Sequence, residues 1–550
     1  MPICAQSLVF VVACMGLGCA PDAAAPSLET TDAEDGEEAQ EVDATEDGSD
    51  AVDAASDACK TDCEASITWA PCPLYYDHRD GPMAECATVE VPLRWDDPAG
   101  PTIGVFVQRL RGGGQVRGQL WLLNGGPGGS GADFDDWMEA FRMLDPTLDV
   151  YTVDHRGTGR SARLSCPDQE SEASESGFYL TAQETAACYE AERAEWGEGL
   201  ARFTTTAAAR DVGQLIARAA VPGQDVFVYG VSYGTYWAHR YLQLFPNQAD
   251  AVVLDSIAPP TQDFTIYDRT FDAVGQDFLR LCGADAICGA KLGADPWRAV
   301  KALFTSVKRG HCPELVADWG LDATSLRTVL GTLLTGVETR TYLPAVVYRM
   351  ARCEPGDVEA VGNLLQLFFG GDEGPSYYDT LGSDSLFYNV TLSELWPEEP
   401  PTAAEIDAEQ ATLYVSTGLT SEIAAATWGK YADDAWVGRW AETDTPLLMM
   451  NGDLDPQTPL AVAREMASHF TGPHQQFVTV PRAAHAVTVR TPVAPGATPC
   501  GMQLFLAFLA APEAPLDLRC LDEIPAESFV GDPALNRIVF GMDDLWENEP

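Results

Sequence analysis

Asp225-Val226-Phe227-Val228-Tyr229-Gly230-Val231-Ser232-Tyr233-Gly234 decides the fold. Its first half is a continuous apolar run, the pattern of a strand buried on both faces. Its second half is G-x-S-x-G, and the following stretch, Tyr236 to Leu244, reads as a helix. Strand, sharp turn and helix in that order lift a serine hydroxyl off a parallel sheet as a nucleophile. The glycines permit the turn and leave room around the hydroxyl. The turn also aims the N–H of Tyr233 at the oxygen of a bound carbonyl. Ser232 is therefore the candidate nucleophile, and Tyr233 a candidate oxyanion donor.

Working outward, the same strand pattern recurs. Leu120-Trp121-Leu122-Leu123, Val150-Tyr151-Thr152-Val153 and Ala251-Val252-Val253-Leu254 are apolar runs that end in Gly- or Asp-containing turns. Helical patterns such as Thr206 to Ala219 lie between them, and this alternation predicts a mostly parallel sheet with helices on both faces. Thr88–Leu93 and Ile103–Val107 read as an opening hairpin. Past Pro259-Pro260 the strand signal stops until about Thr445, and the interval is helical, as in Phe271 to Leu281 and Leu326 to Leu334. These patterns predict an α/β-hydrolase type of architecture. Its first core part is 67–260, a helical cap insertion is 261–444, and a second core part is 445–550. Such a cap covers the carboxyl ends of the strands, where open α/β sheets bind ligands.

The chemistry follows from chain order. Asn124-Gly125-Gly126-Pro127-Gly128-Gly129-Ser130-Gly131 closes a strand with a Gly-rich turn, which brings backbone close to a substrate. The N–H of Gly126 is the second candidate oxyanion donor. A phosphate loop would need a Lys after the glycines, and none follows. The acid and the histidine of a triad on this scaffold come after the serine. Of the seven histidines, His485 alone stands just past the last predicted strand, in Pro481-Arg482-Ala483-Ala484-His485. Asn451-Gly452-Asp453-Leu454-Asp455-Pro456 offers the acid. Asp455 is favoured because the prolines fix its turn, with Asp453 and then Asp255 as alternatives. Ser232, His485 and Asp455 would perform acyl transfer with no metal or organic cofactor.

The net charge is −50, and residues 22–58 hold 14 Asp and Glu with no Lys or Arg. So acidic a body repels phosphate backbones, which argues against nucleic-acid binding. Residues 1–19 read as a signal peptide ending in Leu17-Gly18-Cys19, where lipidation of Cys19 would anchor the chain to a membrane. Residues 20–66 read as an acidic flexible tether. The 15 cysteines leave 12 once Cys4, Cys14 and a lipidated Cys19 are set aside. Sequential pairing of these would give Cys59/Cys63, Cys72/Cys86, Cys166/Cys188, Cys282/Cys288, Cys312/Cys353 and Cys500/Cys520, although spacing alone leaves connectivity open. So many cysteines favour an oxidising compartment, and hence an exported, cell-envelope or secreted protein.

Four motifs in order, Gly125–Gly131, Asp154-His155-Arg156-Gly157-Thr158-Gly159-Arg160-Ser161, Gly230–Thr235 and Gly452–Pro459, resemble the secreted tripeptidyl aminopeptidases and prolyl aminopeptidases of the α/β-hydrolase superfamily. The resemblance spans about residues 67–511. It implies that Asp455 and His485 complete the triad, and that the substrate is a peptide with a free N-terminus. It also suggests Glu394, in Tyr388-Asn389-Val390-Thr391-Leu392-Ser393-Glu394, as a binder of the substrate amine, against a helix-capping role for the same residue. Ala residues flank His485 where that family has Gly. The same triad chemistry would also serve a carboxylesterase, and the fold alone could serve a non-catalytic envelope protein.

Overall fold

A computed structural model describes residues 66–548, apart from 78, 172, 173, 175, 176, 371–378 and 433. The leader at 1–19 with Cys19, the acidic stretch at 22–58 and the Cys59/Cys63 pair lie outside the described residues. Nine strands form one sheet: β1 (Ala70–Pro73), β2 (Met83–Pro92), β3 (Thr102–Leu110), β4 (Gly118–Leu123), β5 (Leu148–Val153), β6 (Asp225–Ser232), β7 (Ala251–Ile257), β8 (Leu447–Gly452) and β9 (Gln475–Val480). Their order is β1-β2-β3-β5-β4-β6-β7-β8-β9. The first four in that order pair antiparallel, and every pair from β5 to β9 is parallel. The expected hairpin is β2–β3. Strand β1 was not expected, because its four residues, Ala-Pro-Cys-Pro, carry no alternating apolar pattern.

Helices α1 (Asp135–Leu144), α2 (Thr185–Trp196), α3 (Thr205–Ala219) and α4 (Tyr233–Leu244) precede or flank β7 in the chain. Between β7 and β8 come α5 (Tyr267–Ala284), α6 (Ala286–Leu292), α7 (Pro296–Val307), α8 (Pro313–Trp319), α9 (Ala323–Leu334), α10 (Tyr342–Arg352), α11 (Pro355–Phe369), α12 (Asp384–Glu394), α13 (Ala403–Gln410) and α14 (Leu419–Ala425). The chain ends with α15 (Leu460–His469), α16 (Cys500–Ala510) and α17 (Pro533–Phe540). Strands β4, β5, β7 and β8 are buried at every residue. Alternation along β4 explains why. Leu120 and Leu122 pack with Met138 and Phe141 of α1 and Phe505 of α16. Trp121 and Leu123 face Val212 and Leu215 of α3 and Trp237 of α4 on the other side. Two covered faces require apolar residues at every position, hence the continuous runs.

The expected helical insertion is present, with no strand in it among the described residues. It divides in two. Helices α5–α11 build a core of their own around Phe278, Leu303, Leu330, Leu343 and Leu364. Helices α12 and α14 instead send Leu386, Tyr388, Val390 and Ile423 into the layer that covers the sheet. The assignment of all of 445–550 to the hydrolase core needs correcting. Phe529, Val539, Phe540, Leu545 and Trp546 join the core of the cap. Arg349 of α10, fully buried, secures this tail by donating to the carbonyls of Leu545, Asp544 and Glu547 while pairing with Asp357. Buried carbonyls need donors, and one guanidinium supplies several at once. Five disulfides, Cys72–Cys86, Cys166–Cys188, Cys282–Cys288, Cys312–Cys353 and Cys500–Cys520, join near neighbours in sequential order.

Candidate active site

Ser232 ends β6 and directly precedes α4, with φ 59° and ψ −130°. A non-glycine residue in that region costs on the order of 1–3 kcal/mol, which the surrounding packing must hold in place. The packing is close. A Cβ on Gly234 would lie 2.1 Å from the Leu123 carbonyl oxygen, and one on Gly125 would lie 2.8 Å from the Ser232 Cβ. The Gly-rich loop thus rests directly against the serine. Tyr233 is the first residue of α4, so its N–H has no acceptor within the helix and stands at the positive end of the helix dipole.

The Gly-rich loop is braced from several sides. Asn124 Nδ2 donates to the Ser130 carbonyl at 2.6 Å and to Asp133 at 2.7 Å, and the N–H of Gly129 donates to the Gly125 carbonyl at 3.1 Å. Asp154 accepts from Ser130 Oγ at 3.0 Å, from the N–H of Gly131 at 2.7 Å and from Arg160 Nε at 2.8 Å. The Asp154–Ser161 motif is therefore the brace of the candidate oxyanion loop, a role that its residues show only through contacts distant in the chain. Arg156 of the same motif is fully buried in a two-pronged pair with Asp211, both contacts at 2.6 Å. Burial pushes His155 down to about 3, so it is neutral, and its ring stands 4.7 Å from that of Trp237.

The structure separates the three candidate acids. Asp455, fully buried, places Oδ2 2.9 Å and Oδ1 3.1 Å from His485 Nδ1. Thr458 Oγ1 donates to Asp455 Oδ2 at 2.8 Å, and the N–H groups of Gln457 and Thr458 donate to Oδ1 at 2.9 and 3.0 Å. With Nδ1 turned to the carboxylate, His485 keeps Nε2 for proton transfer. Asp453 instead accepts from the N–H of Arg482 at 2.6 Å and closes a turn. Asp255, at the end of β7, accepts from the N–H of Val487 and of Thr488 and from the Tyr229 hydroxyl, each at 2.8 Å. Its neighbour Ser256 accepts from the N–H of Ala486 at 2.8 Å. These two residues clamp the backbone just after His485, and Ser232 pairs with Ile257 on the same strand. Ser232 and His485 therefore flank the same end of β7.

Glu394 does not match the expectation of an amine binder. Its side chain has no exposed surface and pairs with Arg240 at 3.1 Å. It also accepts from the N–H of Thr205 at 3.0 Å and from the hydroxyls of Tyr236 and Tyr431 at 3.0 and 2.7 Å. Its carboxylate is used up in joining α12 to α3 and α4.

Two family descriptions match the chain: "alpha/beta hydrolase fold" over residues 120–288, which holds Ser232, and "TAP-like protein" over residues 414–520, which holds Asp455 and His485. A tripeptidyl aminopeptidase of Streptomyces lividans is 31% identical over 229 residues, 38% of this chain and 41% of the relative. The serine protease Hip1 of Mycobacterium tuberculosis is 28% identical over 264 residues, 44% of this chain and 49% of the relative. The matched region thus spans less than half the length of these curated relatives. Among solved structures, an α/β hydrolase enzyme from a Medee basin deep-sea metagenome is 12% identical, covering 76% of this chain and 96% of its own with a TM-score of 0.32. The sheet topology and the two family matches together give the chain an α/β-hydrolase fold, with similarity to TAP-like proteins over its carboxy-terminal part.

Proposed function

We propose that this chain is a serine hydrolase acting through an acyl-enzyme, and that it is an exported aminopeptidase. In this reading Ser232 Oγ attacks the carbonyl of a peptide bond while His485 Nε2 takes its proton. Asp455 orients the imidazole and stabilises the imidazolium that forms. The N–H groups of Tyr233 and Gly126 receive the oxyanion, a contribution on the order of 10²–10³ in rate for each donor. His485 then protonates the departing amine, and water, deprotonated in turn by His485, releases the acyl group. The observation that carries the reading is the 2.9 Å contact between Asp455 and His485, beside the end of β7 that the strained Ser232 also flanks.

Similarity to the tripeptidyl aminopeptidase of Streptomyces lividans supports a peptide with a free N-terminus as substrate, with tripeptides released; release of single residues is the alternative. The five disulfides support an oxidising compartment, and the apolar leader with Cys19 supports export with membrane anchoring by a lipid.

Two experiments test this. A fluorophosphonate probe should label the wild-type protein and leave Ser232→Ala unlabelled, and absence of labelling in both ends the hydrolase reading. Free tripeptidyl and aminoacyl anilides should turn over while their N-blocked forms do not. If blocking the amine makes no difference, or only simple esters react, the aminopeptidase assignment fails and an esterase takes its place.

A further inference from the structure

Acidic residues outnumber basic ones 83 to 33 in this chain. Many of the arginines sit on carboxylates, as Arg109 does on Glu85, Arg117 on Asp145 and Arg352 on Asp357. Helix α7 and the turn after it gather cations that have no such partner. From Pro296 to Pro313 the chain carries Arg298, Lys301, Lys308, Arg309 and His311 and no Asp or Glu. Arg298, Lys301, Lys308 and Arg309 are exposed. Among the described residues none of these four has a carboxylate within 4.0 Å. Arg298, Lys301 and Arg309, with Thr305, Ser306 and His311, line an open groove of about 640 Å³.

Helix chemistry accounts for only part of this. Lys308 and Arg309 stand at the carboxyl end of α7, where cations complement the dipole. Arg298 stands in the first turn, where a cation opposes it. Lys301 is mid-helix, with its ammonium 5.9 Å from the Trp297 ring. Between Asp295 and Glu314 the span thus holds four exposed cations and no acid, one cation at an unfavourable helix position, an arrangement suited to an anion.

We propose that this groove is an anion-binding surface and that its occupant is the chain's own acidic segment, residues 22–58. That segment has 14 Asp and Glu and no Lys or Arg, so its charge is complementary along its whole length. Reach is sufficient. At up to ~3.3–3.6 Å per residue, the 44 residues from 22 to 65 extend well over the roughly 60 Å across a body of this size. Exposed ion pairs are individually weak and screened beyond ~8 Å at physiological salt. An acidic partner arriving from solution would need a high concentration to hold such a site. Covalent attachment supplies a local concentration on the order of millimolar, which makes several weak pairs enough.

The test uses the full chain and a Glu-specific protease, following cleavage within residues 22–58 by mass spectrometry and normalising to the free 22–58 peptide. At 20 mM salt the segment should be cut at least about 5-fold more slowly in the wild type than in a variant carrying Arg298→Glu, Lys301→Glu and Arg309→Glu. The protection should vanish at 500 mM salt. A neutral triple variant with Gln at the same positions should also lose it. Equal cleavage of wild type and both variants overturns the proposal. A second arm measures inorganic polyphosphate binding. It should bind the chain lacking 22–58 more tightly than the full chain, because the segment competes. Equal binding to both overturns the assignment of the occupant and leaves an external polyanion in its place.

Discussion

Asp455 and Asp255 are two buried carboxylates 200 positions apart in the chain, yet both act on the His485 loop, one on the ring and one on the backbone behind it. Asp455→Asn removes the anion that fixes the Nδ1–H tautomer, and kcat should fall about 10⁴-fold with KM little changed. Asp453→Asn, which alters only a turn, should leave kcat within a few-fold of wild type. Asp255 is a positioning residue on this geometry. Asp255→Asn keeps one acceptor for two backbone N–H groups and should cost about 1.5–3 kcal/mol in urea unfolding. It should also lower kcat more than it raises KM, and a purely structural role would reduce stability without that split. Chain order and turn residues pointed to all three aspartates as candidate acids. Their separation rests on hydrogen bonds between residues 30 and 232 positions apart, which no local pattern encodes.

Among the elements, α3, α4 and α12 meet at one buried ion pair, Arg240–Glu394. Removing one partner of such a pair strands the other charge, at about 3–5 kcal/mol. Glu394→Ala should therefore lower stability by that amount in denaturant melts. Glu394→Gln, which retains hydrogen bonding, should lower it less. In neither variant should KM rise selectively for substrates with a free amine, and a selective rise at unchanged stability would restore the amine-binding role. The spans of α3, α5 and α9 agree with the helical patterns read from the sequence because apolar periodicity is a local property. The partner of Glu394 was not legible, since helix spacing places it on α12 but says nothing of the guanidinium that α4 brings to it.

Across the whole molecule, the segment that carries the Cys166–Cys188 bridge is braced by its own Glu170 and tied to α12 by Asp384. Glu170 accepts from the N–H of Cys166 at 2.6 Å, and Asp384 from the N–H of Leu180 at 2.8 Å. Burial pushes Glu170 up to about 7, Glu192 to about 8 and Asp384 to about 6. The folded chain therefore keeps protons that the unfolded chain releases near pH 4 to 4.5. Native binding of more protons makes stability fall as pH rises, fully present below that range and lost by about pH 8. Glu192→Gln should raise Tm relative to wild type at pH 8 and have little effect at pH 4, as read by thermal melts across pH. The seat of α12 also bears on the active site, because the N–H of Ser383, which caps it, donates to the Gly128 carbonyl at 3.0 Å.

The sequence by itself determined the parallel sheet, the elbow at Ser232, the Gly-rich loop before it, the helical insertion and the order Ser, Asp, His. Each of these is written in a short stretch, as a strand run, a turn glycine or a position along the chain. Only the tertiary structure decided that Asp455 rather than Asp453 or Asp255 meets His485, that Glu394 is spent on Arg240, and that the last residues pack in the cap. Those outcomes depend on which distant groups share a buried space, such as Arg349 and the Leu545 carbonyl 196 residues away. A buried polar group must find its partner wherever the fold supplies one.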